Sequence, residues 1–437
     1  MQALLSFENA PPFAAPLRFF LTGPLFAGLA GVLLLVEGGE LFASRWLPAT
    51  LAATHLLTVG FMLQVMLGAL IQILPVVAGA NLARPQRVAG WVHAGLTIGT
   101  LMLVGGFLFG LPAWLSAGAL VLAASLLYFL LVTGRALFGV PSTSPTIRGL
   151  KLALAGLFAV VALGTLMALG MAHGWSLPLA ALIDLHAGWG LGGWAGVLLA
   201  ALAYVVVPMF QLTPGYPARP GWWFPVIIVA ILLVWSGAVF FDLPWLVRVC
   251  QAGLALAGLA FAGLTWRLQG QRRRARADAT HRYWQLGLAA SLAALLMLLA
   301  AAICPALAEL PGWTLFFGIL LIVGGFQSFI VGMLYKIVPF LAWLHLQNQG
   351  QAKIPAPNMG RILADADMQR QLQVHVLALA MLLGAVFLPE WLARSAGLLL
   401  ALANGGLAFN LLAALRRYRW HGEDIREKLV ALECSTA

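Results

Sequence analysis

The stretch from His55 to Gly79, HLLTVGFMLQVMLGALIQILPVVAG, is apolar almost throughout and long enough to cross a bilayer. It carries one histidine at its start and closes on a proline followed by small residues. Two later stretches repeat the plan: HAGWGLGGWAGVLLAALAYVVVPMFQ from His186 and GILLIVGGFQSFIVGMLYKIVPFLAW from Gly318. Aligned on Pro75, Pro208 and Pro339, they stand 133 and 131 residues apart. Seven residues before each proline is a small residue, Gly68, Ala201 or Gly332, and four before it is Ile71, Tyr204 or Tyr335. A near-constant interval fits multiplication of one unit. It fits equally the common vocabulary of membrane helices, which draw on Gly, Leu, Val and Pro.

The rest of the chain has the same character. It is 62% hydrophobic and 9% charged, with a mean hydropathy of +0.95. A soluble domain carries about 25% charged residues, so this chain cannot cover a water-facing surface and reads as a polytopic membrane protein. The net charge of +11 is no nucleic-acid signal, because the basic residues lie between apolar spans instead of forming a patch. Cys250, Cys304 and Cys434 are far apart and form no CxxC pair, so neither a disulfide framework nor a thiolate metal site is expected. The N-terminal MQALLSFENAPPFAAP has no basic region of the kind that opens a cleavable signal peptide.

Twelve spans are expected, at approximately 18–37, 50–78, 88–110, 112–134, 149–172, 178–209, 221–241, 244–266, 283–306, 312–343, 372–389 and 393–415. The stretches ending at the three prolines are the second, sixth and tenth, so the repeating unit is a group of four helices. The expected fold is an all-α membrane protein, twelve transmembrane helices in three pseudo-repeated four-helix groups. It forms one polytopic domain over 1–437, with a cytoplasmic tail at 416–437. With the N-terminus inside, only Arg45, Arg248 and Arg394 fall on the outer side, and the other 22 of the 25 basic residues fall at inner ends or loops. Positive charge stays on the cytoplasmic side during insertion, so both termini are expected in the cytoplasm. The basic run GQRRRARADATHR, in the inner loop 267–282, reads as an anchor beside anionic lipid.

Ionisable residues inside a span are costly and face the bundle interior or a cavity. His55 and His186 each sit about two turns inside the outer end of a helix, at the same depth and in the same helix direction. Neutral imidazole is a common ligand for haem iron and copper; a hydrogen bond to a neighbouring helix is the plainer role. If His55 binds iron, its other ring nitrogen is expected to donate to a carbonyl or side chain that fixes the ring. A second group, His93, His375 and His345, lies towards the inner face, the first two as further metal-ligand candidates and His345 as an interfacial residue. His173, His281 and His421 fall at span ends or in loops and read as solvated or interfacial. Asp184, two residues before His186, points to another helix face. Lys336 is close enough to the inner surface to snorkel. Gln64, Gln72 and Gln327 can bridge helices, and Gln64, Gln327, Tyr204 and Tyr335 are candidates for lining a cavity. No Walker loop, HExxH, nucleophile elbow or dinucleotide fingerprint occurs in a usable context, which leaves hydrolases and nucleotide-driven pumps unsupported.

Twelve spans in three groups, with a histidine early in the second, resemble the core subunit of haem–copper oxidases and nitric oxide reductases. The runs HLLTVGFMLQVMLGALIQILPVVAGA and HAGWGLGGWAGVLLAALAYVVVP also look like those of the NnrS-type membrane proteins, twelve-span relatives associated with haem, copper and nitric oxide stress. The resemblance implies that His55 occupies the position of a low-spin haem ligand and that His186 loosely matches a copper ligand. The chain departs from the oxidase pattern elsewhere. Its tenth span lacks an H-x-H pair, no histidine occurs between His186 and His281, and the sixth span has no matching His-to-Tyr spacing. A complete haem–copper centre therefore cannot be assembled, and reduction of oxygen or nitric oxide by the family mechanism is not expected. The resulting expectation is a bacterial inner-membrane protein binding haem or copper through His55 and His186. Its roles would be electron transfer, respiratory-complex assembly or nitric oxide stress, and its partners the bilayer and respiratory or electron-transfer proteins. A cofactor-free permease and a structural scaffold of the same fold are the alternatives.

Overall fold

The computed structural model describes residues 7–274 and 276–436. The reading of the N-terminus rests partly on residues 1–6, which lie outside them. Every secondary-structure element among the described residues is helical. Eleven helices are long and apolar enough to cross a membrane. They are α1 (Ala14–Phe42), α2 (Pro48–Ala78), α3 (Pro85–Leu108), α4 (Pro112–Phe138), α5 (Pro145–His173), α6 (Leu179–Gln211), α7 (Ala218–Phe240), α8 (Pro244–Gly270), α9 (Ala279–Ile303), α10 (Trp313–Gln349) and α12 (Pro389–Cys434). The expected eleventh span is also a helix, α11 (Asp365–Ala385), but its first turns, DADMQRQLQ, are too polar for it to count among them.

Proline starts many of these helices. Pro48, Pro85, Pro112, Pro145 and Pro244 occupy the first turn, where a missing N–H costs no helical hydrogen bond. Ser144 and Asp278 cap α5 and α9 by accepting from the backbone N–H groups of Ile147 and His281.

The three proline-bearing stretches form the centre. The apolar window is 83% buried in α2, 56% in α6 and 61% in α10, against 22% in α8 and 28% in α7 and α9. Their inner halves surround a cavity of about 110 Å³ lined by Gln72, Met66, Leu199, Phe210, Ile330 and Phe340, among others. Each of the three also contains a π-helical segment: Leu56–Leu63, Gly188–Gly196 and Leu320–Gln327. Leu63 precedes Pro75, Gly196 precedes Pro208 and Gln327 precedes Pro339 by 12 residues in every case.

Small residues bring the outer helices together. A Cβ on Gly31 of α1 would run into the backbone of Ala401 in α12, and one on Gly397 into that of Leu35. Gly38 and Gly39, late in α1, lie beside Arg394 and Glu390 at the start of α12. At the other face, Phe13 packs edge-on against Tyr418 at 5.3 Å. The Tyr418 hydroxyl bonds His345 Nδ1 at 2.8 Å, and Gln349 donates to the Gly422 carbonyl. The start of α1 and the ends of α10 and α12 thus share one face. The hydrophilic segment from 416 is helical and continues α12, with Ile425 buried.

Candidate functional site

His55 is the last residue before the π-helical segment of α2, and His186 lies two residues before that of α6. A π turn widens the helix and changes the face on which later residues emerge, and such segments recur at functional sites. Both imidazoles are half-buried. Nδ1 of His55 lies 2.8 Å from the Leu51 carbonyl. A carbonyl only accepts, so Nδ1 carries the proton and Nε2 keeps its lone pair. The ring leans on Phe107 of α3, with centroids 5.3 Å apart. His186 packs against Gly164 of α5, where an added Cβ would meet its Cε1 at 2.9 Å. Its Nδ1 is buried without a hydrogen-bond partner. Two helices of similar plan therefore keep one uncommitted imidazole nitrogen each, in the half of the bundle that also holds the Arg45–Asp184 ion pair at 2.7 Å. That pair ties the α1–α2 connection to the start of α6.

The other candidates are placed elsewhere. Nε2 of His93 bonds Thr22 of α1 at 2.8 Å, and its ring meets Phe19. His375 is fully buried, with Nε2 3.0 Å from the Ser328 hydroxyl and its ring against Tyr283. Each ring thus has its own partners, and among the described residues no hydrogen bond or ring contact joins the two. Gln64 donates to Thr97 at 3.1 Å and Gln327 donates to Asn404 at 2.8 Å, which makes both glutamines bridges between helices. Tyr335 accepts from Asn410, and Tyr204 packs edge-on against Tyr216. None of these four lines the central cavity or the larger chamber described below; Gln72 lines the former. Polarity inside a span announces a partner, and here the partner is another side chain.

Two further expectations are corrected. Lys336 does not snorkel to water; it meets Asp278 at 2.7 Å in a pair whose side chains are only 16% and 17% exposed. His281 is buried, not solvated, because the helix that Asp278 caps turns it inward. His345 is exposed, as an interfacial residue would be, and bonds the Tyr418 hydroxyl of α12. The three cysteines are free, as their spacing requires.

Sequence reasoning missed the chamber in the half of the bundle that holds Arg45 and Asp184. It has a volume of about 680 Å³ and is bounded by residues of α1, α2 and α6 to α12, apolar for most of its length. Arg45, Asp184, Arg248 and Gln251 lie on its wall. The three outer arginines were visible in the sequence, but nothing there said which of them border a cavity. Gly164, the seat of His186, was one glycine among 47.

No protein-family model matches this chain, and no curated protein matches it.

Proposed function

We propose that this is a metal-handling protein of the bacterial inner membrane that holds copper between His55 and His186, in a bundle built like the haem–copper oxidase core and the NnrS-type proteins. The observation carrying this reading is that His55 and His186, each at the turn before the π-helical segment of its helix, keep one free ring nitrogen apiece, that of His55 set by the Leu51 carbonyl. Such an acceptor behind a ligating histidine fixes its tautomer and direction. Among the described residues no three His, Cys, Asp or Glu side chains gather into a metal-binding group, so a closed four-ligand zinc site lacks donors. Two imidazoles suit copper, or a haem ligated on both faces. The large chamber has the volume of a cofactor site, but no His, Met, Cys or Tyr lines it, so haem placed there would have no axial ligand. Copper is accordingly the first cargo and haem the second. The biological roles we infer are respiratory electron transfer, complex assembly or nitric oxide stress.

The same reading carries twelve spans in three groups, with both termini cytoplasmic. The matching π segments and prolines support the grouping. The end of α10 and the end of α12 share a face, while α12 begins beside the end of α1 at the other. The chain between α10 and α12 must therefore return across the bundle, and α11 is the helix available to do it.

The test uses purified protein with anaerobic Cu(I) and a colorimetric Cu(I) chelator as competitor. Wild type should withdraw one copper from the chelator. His55→Ala and His186→Ala should each weaken binding by 100-fold or more, and Gly164→Val should weaken it by displacing His186. An absorption spectrum of protein from haem-replete cells reads the second cargo. Colourless protein that leaves all copper with the chelator would overturn the proposal, and the permease reading, which would use the outer chamber, would replace it.

A further inference from the structure

The outer chamber holds a charge that the protein leaves unanswered. Of the three outer arginines, Arg45 is paired with Asp184 and Arg394 donates to the Leu35 carbonyl. Arg248 is exposed at the rim of the chamber, at the outer end of α8, and has no ion-pair or hydrogen-bond partner among the described residues. Gln251, one turn deeper on the same face, also lines the wall. Below them the wall turns apolar: Leu254, Gly258, Phe261 and Ala262 continue down α8, faced by Leu288 and Leu295 of α9 and Ile322 of α10. Arg248 to Ala262 spans 14 residues, about 21 Å at 1.5 Å per residue. One leaflet contributes roughly 15 Å of hydrocarbon, so the chamber can take the whole length of an acyl chain.

We propose that this chamber binds a single-chain anionic amphiphile drawn from the outer leaflet, with its carboxylate or phosphate head on Arg248 and its hydrocarbon tail along α8, α9 and α10. Charge complementarity selects the class of ligand. Arg45 and Asp184 cancel at the mouth, and Arg248 leaves one net positive charge beside apolar walls. A neutral alkyl chain would leave that arginine unmatched, and a small anion would leave the walls uncovered. Guanidinium matches carboxylate and phosphate alike through paired N–H donors. The site is separate from the histidines, neither of which lines it.

The test is photolabelling of the purified full chain with a diazirine-bearing palmitic acid, run beside the corresponding palmityl alcohol. Label from the acid should map to lining residues such as Leu254, Leu295 and Ile322, and excess palmitate should compete it away. Arg248→Gln should reduce acid labelling at least fivefold and leave alcohol labelling unchanged, whereas Arg248→Lys should retain most of it. Gly318 also lines the chamber, and an added Cβ there meets nothing within 4 Å. Gly318→Phe should therefore fill the lumen and abolish internal labelling by both probes. Equal labelling by acid and alcohol in wild type, wild-type labelling of Arg248→Gln, or label confined to lipid-facing residues such as Val249 and Leu256 would each overturn the proposal. A phosphate-headed competitor, lysophosphatidic acid, distinguishes the head: stronger competition than palmitate assigns phosphate, and weaker competition assigns carboxylate.

Discussion

Replacing Asp278 by asparagine should destabilise the protein by about 2–4 kcal/mol, and replacing Lys336 by methionine by about 1 kcal/mol or less. Asp278 has two jobs: its side chain caps α9 through the His281 N–H at 3.0 Å and meets Lys336 at 2.7 Å. Asparagine caps a helix as well as aspartate does, so Asp278→Asn isolates the charge. It leaves the Lys336 ammonium partly buried without a counter-ion. Removing one member of a fully buried pair costs about 3–5 kcal/mol, and the residual exposure of 16% and 17% reduces this somewhat. Lys336→Met leaves Asp278 with its cap and with Arg274 at 3.0 Å, so no charge is stranded. Asp278→Ala should cost about 1 kcal/mol more than the asparagine variant, for the lost cap. The double variant Asp278→Asn/Lys336→Met should recover most of the loss, which makes the cycle non-additive. Burial pushes the Asp278 carboxyl up, but hydrogen bonds from Lys336 and the His281 N–H, with the charges of Lys336 and Arg274, outweigh it and hold the carboxyl below its usual range. The folded state thus favours the carboxylate. This contribution is present above the unfolded pKa of about 3.9 and is lost as pH falls through the lower folded value. The gap between wild type and Asp278→Asn should be constant from pH 5 to 8 and close below about pH 4. Thermal unfolding in detergent, followed by size-exclusion chromatography, reads the series at roughly 2 °C per kcal/mol. Equal losses from Asp278→Asn and Lys336→Met, or strict additivity, would refute the stranded-charge argument.

Reporter fusions at Arg45 and Arg274 should give opposite locations, and a fusion at Ala437 should share the side of Arg274; all three on one side would remove the inside-positive orientation. Gly31→Leu should separate α1 from α12, because its Cβ would collide with the Ala401 backbone, and lower stability by about 3 kcal/mol or more, whereas Gly28→Leu, with nothing within 4 Å of its Cβ, should be nearly silent by the same thermal assay.

The fold class was legible because it follows from solubility: so few charges over so many apolar residues leave only stacked helices in lipid. The centrality of α2, α6 and α10 was also legible, through their shared prolines and small residues. The π segments were not, since the sequences LLTVGFML, GWGLGGWAG and LLIVGGFQ have no common residue pattern beyond glycine and bulky apolar side chains. Partners of buried polar groups were the other blind spot. Gln64, Gln327, Lys336 and Tyr335 were visible as costly residues, but their partners Thr97, Asn404, Asp278 and Asn410 lie 33 to 77 residues away. Depth says that a partner is needed; only the packing of helices says which.

The site's asymmetry follows from the same comparison of three helices. His55 stands 20 residues before Pro75 and His186 stands 22 before Pro208; the corresponding stretch of α10 is Phe317-Gly318-Ile319, without an imidazole. Those three residues line the outer chamber instead. If the three helices descend from one unit, two have kept a nitrogen donor at the turn before the π segment, and the third has small and apolar side chains there. The two imidazoles rest on Phe107 of α3 and Gly164 of α5, off the wall of the chamber. The chamber reaches α10, is largely apolar, and has an arginine at its end. In the proposed reading, a cation that needs nitrogen donors and an amphiphile that needs length and one positive charge have opposite requirements, and the absence of a histidine from this stretch of α10 keeps the two apart.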